Sequence, residues 1–312
     1  MTTAPTPPPG PAAAPLSPAR IWLLAIRPQT LPAAIAPVLV GLGASLGLGH
    51  PFRLDTAVGA LVVALLLQIV ANLANDLSDF RKGADTPDRQ GPLRVAAAGL
   101  ITPRQLEVAI AIVLVAAGAV GLYLVAVGGV VLLILGGLAM LAALAYTGGP
   151  FPYGYKGMGE VFVFLFFGLV AVAGTAYLQA GVLEPLFLVA AVPIGALITA
   201  ILVVNNLRDI PTDALAGKRT LAVIFGERFA KAEFLVLLLC AMVVPLLLVL
   251  TGSAFIVLLP IMALGLAMPL VHEVRFVGPG TDRKRLNKVL KGTARLSLVY
   301  GVLFALGLAL GA

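Results

Sequence analysis

Apolar runs of about 20 residues recur along the whole chain, separated by short polar stretches. The pattern predicts nine membrane-spanning helices, at roughly 21–48, 54–75, 105–126, 128–147, 160–181, 184–206, 229–251, 253–275 and 290–311. A transmembrane barrel would show shorter, alternating segments instead. The expected fold is therefore an all-α polytopic membrane protein, its helices gathered around a central cavity. Pro28, Pro32 and Pro37 interrupt the first run, so its start is expected to be kinked or irregular. Residues 1–18, "MTTAPTPPPGPAAAPLSP", lack an apolar core and read as a disordered tail rather than a cleaved signal. Residues 19–312 then form a single transmembrane domain.

Composition sharpens the picture. The chain has 312 residues, 60% apolar and only 11% charged. A soluble domain carries about twice that share of charge. Net charge is +7, which by itself would admit nucleic acid as a partner. The distribution argues otherwise. With the spans above, every Lys and Arg except Arg53 falls at one membrane face, in the loops 76–104, 148–159, 207–228 and 276–289 and at the adjoining span ends. The opposite connections, such as Gly128-Gly129 and Thr251-Gly252-Ser253, are short and uncharged. This is the positive-inside pattern. It places the N-terminus and the basic loops in the cytoplasm, at a cell membrane, and needs no nucleic acid. The single cysteine, Cys240, cannot form a disulfide within the chain, and His50 and His272 lie too far apart in sequence to suggest a metal site.

The scarce acids are not scattered. Asn72, Asn75, Asp76 and Asp79 stand at i, i+3, i+4 and i+7, one stripe of a helix at the end of span two. Asp85 and Asp88 follow beyond Gly83. Asn205, Asp209 and Asp213 stand at i, i+4 and i+8 at the end of span six, with Pro211 expected to loosen the turn that carries Asp213. Carboxylates crowded on one stripe repel, and stay ionised only with cationic partners or a divalent ion. Asp and Asn oxygens without His or Cys suit a hard cation, Mg²⁺ above all, which takes one or two carboxylates plus substrate phosphates. Arg81, Lys82, Arg94, Arg208, Lys218 and Arg219 lie close by in sequence to hold the remaining phosphate oxygens. A solvated loop with ordinary ion pairs would explain one such stripe. Two of them, each at the same end of a span and four spans apart, hint at a duplicated four-helix unit whose copies face each other across the cavity.

The stretches "NDLSDFRKGADTPDRQGPLRV" and "NNLRDIPTDALAGKRTLAVIFG" resemble the two aspartate-rich motifs of the UbiA superfamily of intramembrane aromatic prenyltransferases. "RPQT" early in span one fits the same family, and the resemblance covers nearly the whole chain. Gly83-Ala84-Asp85, Gly91-Pro92-Leu93-Arg94, "YTGGP" at 146–150 and Gly159-Glu160 resemble the menaquinone branch, the 1,4-dihydroxy-2-naphthoate prenyltransferases. Two departures stand out. The superfamily's first motif, N-D-x-x-D-x-x-x-D, meets Gly83 at its last position, with the acid two residues later at Asp85. Its Tyr-x-x-x-Lys after span four is absent, because Pro150 follows Tyr146 and the nearest lysine is Lys156; Tyr146 and Lys156 are carried over in its place.

The resemblance implies transfer of a polyprenyl group from a polyprenyl diphosphate to an aromatic ring carbon, with CO₂ leaving in the menaquinone branch. It implies two Mg²⁺, one near Asn75, Asp76 and Asp79 and one near Asp209 and Asp213. Arg27, Lys156, Lys218 and Arg219 are candidates for the remaining diphosphate charge, and Arg94 or Arg208 for the acceptor carboxylate. Asn72, Arg81, Lys82, Asp85 and Asn205 complete the substrate-binding set. Tyr146, Tyr153 or Tyr155 is placed to stabilise an allylic cation by a ring face. Phe162, Phe164, Phe166 and Phe167 either line a tunnel for the isoprenoid tail or face lipid.

Three alternatives are weighed on sequence alone. One is another acceptor, such as 4-hydroxybenzoate or homogentisate. A second is a cation-coupled transporter, although such sites usually lie near the midplane, not at span ends. The third, a CDP-alcohol phosphotransferase, needs an Asp-x-x-Asp-Gly…Ala-Arg array that the chain lacks. Gly43-x-x-x-Gly47 fits close helix packing.

Overall fold

The structure, a computed structural model, describes residues 16–84, 90–278 and 280–312. Most of the expected N-terminal tail and Asp85 lie outside those residues. Of the described residues 81% are helical, and none is in a strand. The long elements are α1 (Pro18–Ile26), α2 (Pro32–Gly47), α3 (Leu54–Arg81), α4 (Pro103–Gly128), α5 (Val130–Ala145), α6 (Gly159–Val163), α7 (Ala171–Ala180), α8 (Pro185–Leu215), α9 (Leu221–Leu250), α10 (Leu264–Phe276) and α11 (Leu286–Gly311).

Each apolar run of the sequence meets a helix or a helix pair, but the count of spans is less regular than the pattern suggested. By length and hydropathy, seven helical stretches among the described residues can cross a membrane, and eight if the bent pair Pro18–Thr30 and Pro32–Gly47 is one span. The remaining run is α5, with 16 residues. At 1.5 Å per residue it reaches about 24 Å, short of a hydrocarbon core of about 30 Å.

The proline-rich start is bent, as expected. The two halves meet at 47°, and the chain turns on Arg27, whose φ of 56° makes it the lone non-glycine residue of positive φ among the described residues. Such a conformation costs about 1–3 kcal/mol and persists only where its surroundings enforce it. Here the Arg27 N–H still bonds to Leu23 O, and Thr30 Oγ1 donates to Arg27 O. Pro211 behaves differently from expectation: α8 runs through it unbroken to Leu215.

Small residues set the helix spacing. Gly43 and Gly47 of α2 lie against the α11 backbone at Ala305 and Leu308, so close that a methyl group would overlap it. Between α6 and α7 the chain forms a wide π-helical segment, Phe164–Val170, and Gly168 there touches Gly195 of α8. Such π segments recur at functional sites. No hydrophobic repeat announces one.

Candidate active site

A cavity of about 400 Å³ opens between α2, α3, α5, the π segment and α8. Its inner part is apolar and aromatic. Tyr146, Tyr153, Phe162, Phe166 and Phe167 line it, with Tyr146 edge-on to Tyr153 at 5.4 Å and Tyr153 stacked on Phe162 at 4.2 Å. Phe164 turns away and packs over Gly195. Tyr153 donates its hydroxyl to Ala142 O at 2.9 Å. Burial pushes its phenol well above the ordinary tyrosine range, so it stays neutral.

The two acidic stripes meet at the polar end of this cavity. Asn75 and Asp79 of α3 line one wall; Asn205, Asp209 and Asp213 of α8 line the other. Lys218 joins them, 3.3 Å from Asp79 Oδ1 and 3.6 Å from Asp213 Oδ1. Asp79 is almost fully buried and also accepts from Arg94 Nη2 and from the Tyr155 hydroxyl, both at 2.8 Å. Asp209 is gripped by the Nε–Nη2 edge of the neighbouring Arg208 guanidinium, at 2.8 and 2.6 Å. Asn75 Oδ1 accepts from Thr147 Oγ1 at 2.9 Å. Charge-assisted bonds of this kind are shorter and stronger than neutral ones.

Asp76 sits one residue along, about 100° around the helix from Asn75, and faces out of the cavity. Its carboxylate accepts the backbone N–H groups of Val95 and Ala96, each at 3.2 Å, and lies 3.7 Å from Arg27 Nη2. Asn72 Nδ2 donates to Ile26 O and Thr30 Oγ1, tying α3 to the bend of span one. Arg27, Asn72 and Arg94 line the cavity.

Several expected site residues lie off the cavity wall. Arg81 is exposed and pairs with Glu107 of α4, because it ends α3 on the face turned to that helix. Lys156 stacks its ammonium over the Phe151 ring at 3.9 Å. Arg219 is exposed, with its backbone N–H bonded to Tyr155 O. Lys82 donates to Thr147 O at 2.5 Å and sits 4.3 Å from the Tyr155 ring centre. Partial burial lowers its pKa, against the pull of Asp79. Lys218 lies over the same ring at 4.8 Å, so the ring of Tyr155 already serves two ammonium groups. Arg208 is likewise committed: besides Asp209 it donates to Asn205 Oδ1 and Asn287 Oδ1, both at 2.8 Å.

Sequence reasoning missed Thr147, Gln68, Thr30 and Asn287. Gln68 lies one turn before Asn72 on the same stripe and bonds to Thr30 Oγ1 at 3.1 Å; extending the stripe backwards would have found it. Asn287 accepts from Arg208 and donates to Gln90 O at 2.9 Å, and nothing local in the sequence marks it.

No three Asp, Glu, His or Cys side chains cluster tightly enough to hold a metal alone among the described residues. The donor set still fits a hard divalent ion. It is oxygen-only, with an Asn/Asp pair on one wall and two Asp on the other, and Mg²⁺ completes its shell from phosphate and water rather than from protein.

The comparisons with known proteins agree with this architecture. The profile of the UbiA prenyltransferase family matches residues 34–310. A protein of Escherichia coli (strain K12), "1,4-dihydroxy-2-naphthoate octaprenyltransferase", is 40% identical over 305 residues, covering 94% of this chain and 96% of that one. The protein of that name from Mycobacterium tuberculosis (strain ATCC 25618 / H37Rv) is 42% identical over 293 residues, with 93% and 97% covered. A solved UbiA homologue from Archaeoglobus fulgidus, bound to GPP and Mg²⁺, superposes with a TM-score of 0.62 at 17% identity, over 91% of this chain and 99% of that one. The chain belongs to the UbiA prenyltransferase family.

Proposed function

We propose that this protein transfers a polyprenyl group from a polyprenyl diphosphate to 1,4-dihydroxy-2-naphthoate. The C–O bond to diphosphate breaks, a bond to the ring carbon forms, and CO₂ leaves from that carbon. Diphosphate and demethylmenaquinol are the products. The observation that carries the reading is Lys218, within 4 Å of both Asp79 and Asp213. Motifs more than 100 residues apart in sequence thereby share one polar pocket at the head of an aromatic-lined cavity. The names of the relatives at 40% and 42% identity support the acceptor.

Mg²⁺ is proposed to bind between Asn75 and Asp79 on one wall and Asp209 and Asp213 on the other, where it would neutralise the leaving diphosphate. Asp76 is left out of that set, since its oxygens face Val95 and Ala96. Arg27, Arg94 and Lys218 line the cavity and supply fixed positive charge toward the diphosphate. Tyr146 and Tyr153 present neutral rings below it, suited to an allylic cation. The apolar walls exclude water, which would otherwise capture that cation. Arg208 braces α8 and is not assigned to the acceptor carboxylate, because its guanidinium is already shared among three side chains.

The basic loops are proposed to face the cytoplasm. Arg53, at the other end of the helices, pairs with Asp55, which leaves that end with no net charge from the pair.

Membranes carrying the protein should convert labelled polyprenyl diphosphate and 1,4-dihydroxy-2-naphthoate into a decarboxylated, prenylated naphthoquinol, identified by mass spectrometry. Preferential use of 4-hydroxybenzoate or homogentisate would overturn the acceptor assignment. Cation flux in proteoliposomes without prenyl transfer would overturn the enzymatic reading altogether.

A further inference from the structure

Pro211 has no backbone N–H, so a helix running through it leaves the carbonyl of residue 207 without its usual partner four residues on. Helices generally bend or end at such a place, yet α8 continues to Leu215. The carbonyl of Leu207 is nonetheless filled: Arg283 Nη1 donates to it at 2.6 Å, from a segment 76 residues further along the chain. Leu207 is fully buried, so water is not available as a substitute there.

We propose that Arg283 is a positioning residue for the second acidic stripe. Its guanidinium stands in for the N–H that Pro211 lacks, and so keeps Asp213 one regular turn beyond Asp209 on the cavity face. The aim of the guanidinium is set independently of the cavity. Its Nη2 donates to Glu227 Oε2 at 2.5 Å, and Lys231 Nζ holds the other oxygen of Glu227 at 2.9 Å. Four residues beyond Arg283, Asn287 accepts from Arg208, so the same segment steadies α8 at Leu207 and Arg208, just before Asp209. Without the brace, the last turn of α8 loses the donor that stands in at a buried carbonyl. Asp213 then drifts from Asp209 and Lys218.

This inference rests on the reading of Asp209 and Asp213 as one wall of the diphosphate site. A double-mutant cycle on the full-length protein separates the two. Arg283→Met should speed hydrogen exchange of amides 212–216 in metal-free protein by about tenfold or more, the usual effect of losing a charged hydrogen bond. It should also raise the Mg²⁺ concentration for half-maximal prenyl transfer by about fivefold to tenfold. Pro211→Ala restores an N–H to Leu207 O. In that background, Arg283→Met should change both readouts by no more than about twofold, the additivity expected of uncoupled sites. If Arg283→Met does not fold, Glu227→Gln loosens the same guanidinium, and Pro211→Ala should cancel its smaller effect. Failure of Pro211→Ala to rescue, or unchanged exchange in Arg283→Met, would overturn the brace. Absence of prenyl transfer by the unmodified enzyme would instead overturn the functional reading and leave the exchange result standing.

Discussion

The ends of α3 and α8 are built alike and held differently. Both helices close on a glycine in the left-handed region, Gly83 at φ 64° and Gly217 at φ 71°. In both, the N–H of the residue after that glycine returns to an aspartate carbonyl, Ala84 to Asp79 and Lys218 to Asp213, each at 2.9 Å. Asp79 and Asp213 are thus equivalent relative to their helix ends, and this is the pair that Lys218 bridges. On α8 a further aspartate, Asp209, lies one turn before that position; on α3 an asparagine, Asn75, takes it.

Support comes from opposite directions. On α3, Asp79 is held by Arg94, Tyr155 and Lys218, all from distant loops, and Asp76 by the backbone at 95–96. On α8, Asp209 is held by its neighbour Arg208, and the helix itself is braced by Arg283 and Asn287. A straight helix needs help only for its charges. A helix containing Pro211 also needs help for its backbone. An acidic stripe can be read as a site only once it is clear what supports each of its members.

Substitutions at the paired positions should break the comparison most severely. Asp79→Asn or Asp209→Asn should lower kcat by about a thousandfold, the scale of losing transition-state charge stabilisation. Leaving Mg²⁺ out should do the same, and thermal unfolding in detergent should show the variants still folded. Arg94→Met removes a cation that reaches Asp79 from outside the helix. It should raise KM for the prenyl diphosphate by about tenfold to a hundredfold, as for other charge-assisted contacts. Asp76→Asn should cost about tenfold in kcat/KM through the 95–96 backbone it holds. It should leave the Mg²⁺ dependence where it was, whereas Asp79→Asn shifts it; an equal shift in both would return Asp76 to the metal set. Smallest of all, Arg81→Met, Lys156→Met and Arg219→Met should each stay within about twofold in activity, because exposed charges off the cavity contribute little.

Much of this was legible in the sequence. The helix periodicity of Asn75/Asp79 and of Asn205/Asp209/Asp213 placed them on shared faces, and long apolar runs located every helix. Arg81 and Arg219 join the candidate site because they are near it along the chain, and Lys156 because it stands in for the lysine of the superfamily's Tyr-x-x-x-Lys. In the structure a helix face, a ring and an exposed turn carry them away from it. Asp76 falls on the same i, i+3, i+4, i+7 stripe as Asn72, Asn75 and Asp79, yet adjacent residues on a helix point about 100° apart, and only the position of the 94–96 loop decides which of Asn75 and Asp76 meets the cavity.

The sequence by itself determined the membrane-spanning helices, the end of the molecule that carries the charge, and the oxygen-only chemistry of the site. Each of those follows from local periodicity and side-chain type. The tertiary structure alone decided that Lys218 spans the two motifs, that Arg283 reaches the Leu207 carbonyl one turn before Pro211, and that Asp76 turns to the backbone of a loop. These depend on contacts between segments about 20 to more than a hundred residues apart, and such contacts are set by packing, which no local pattern encodes.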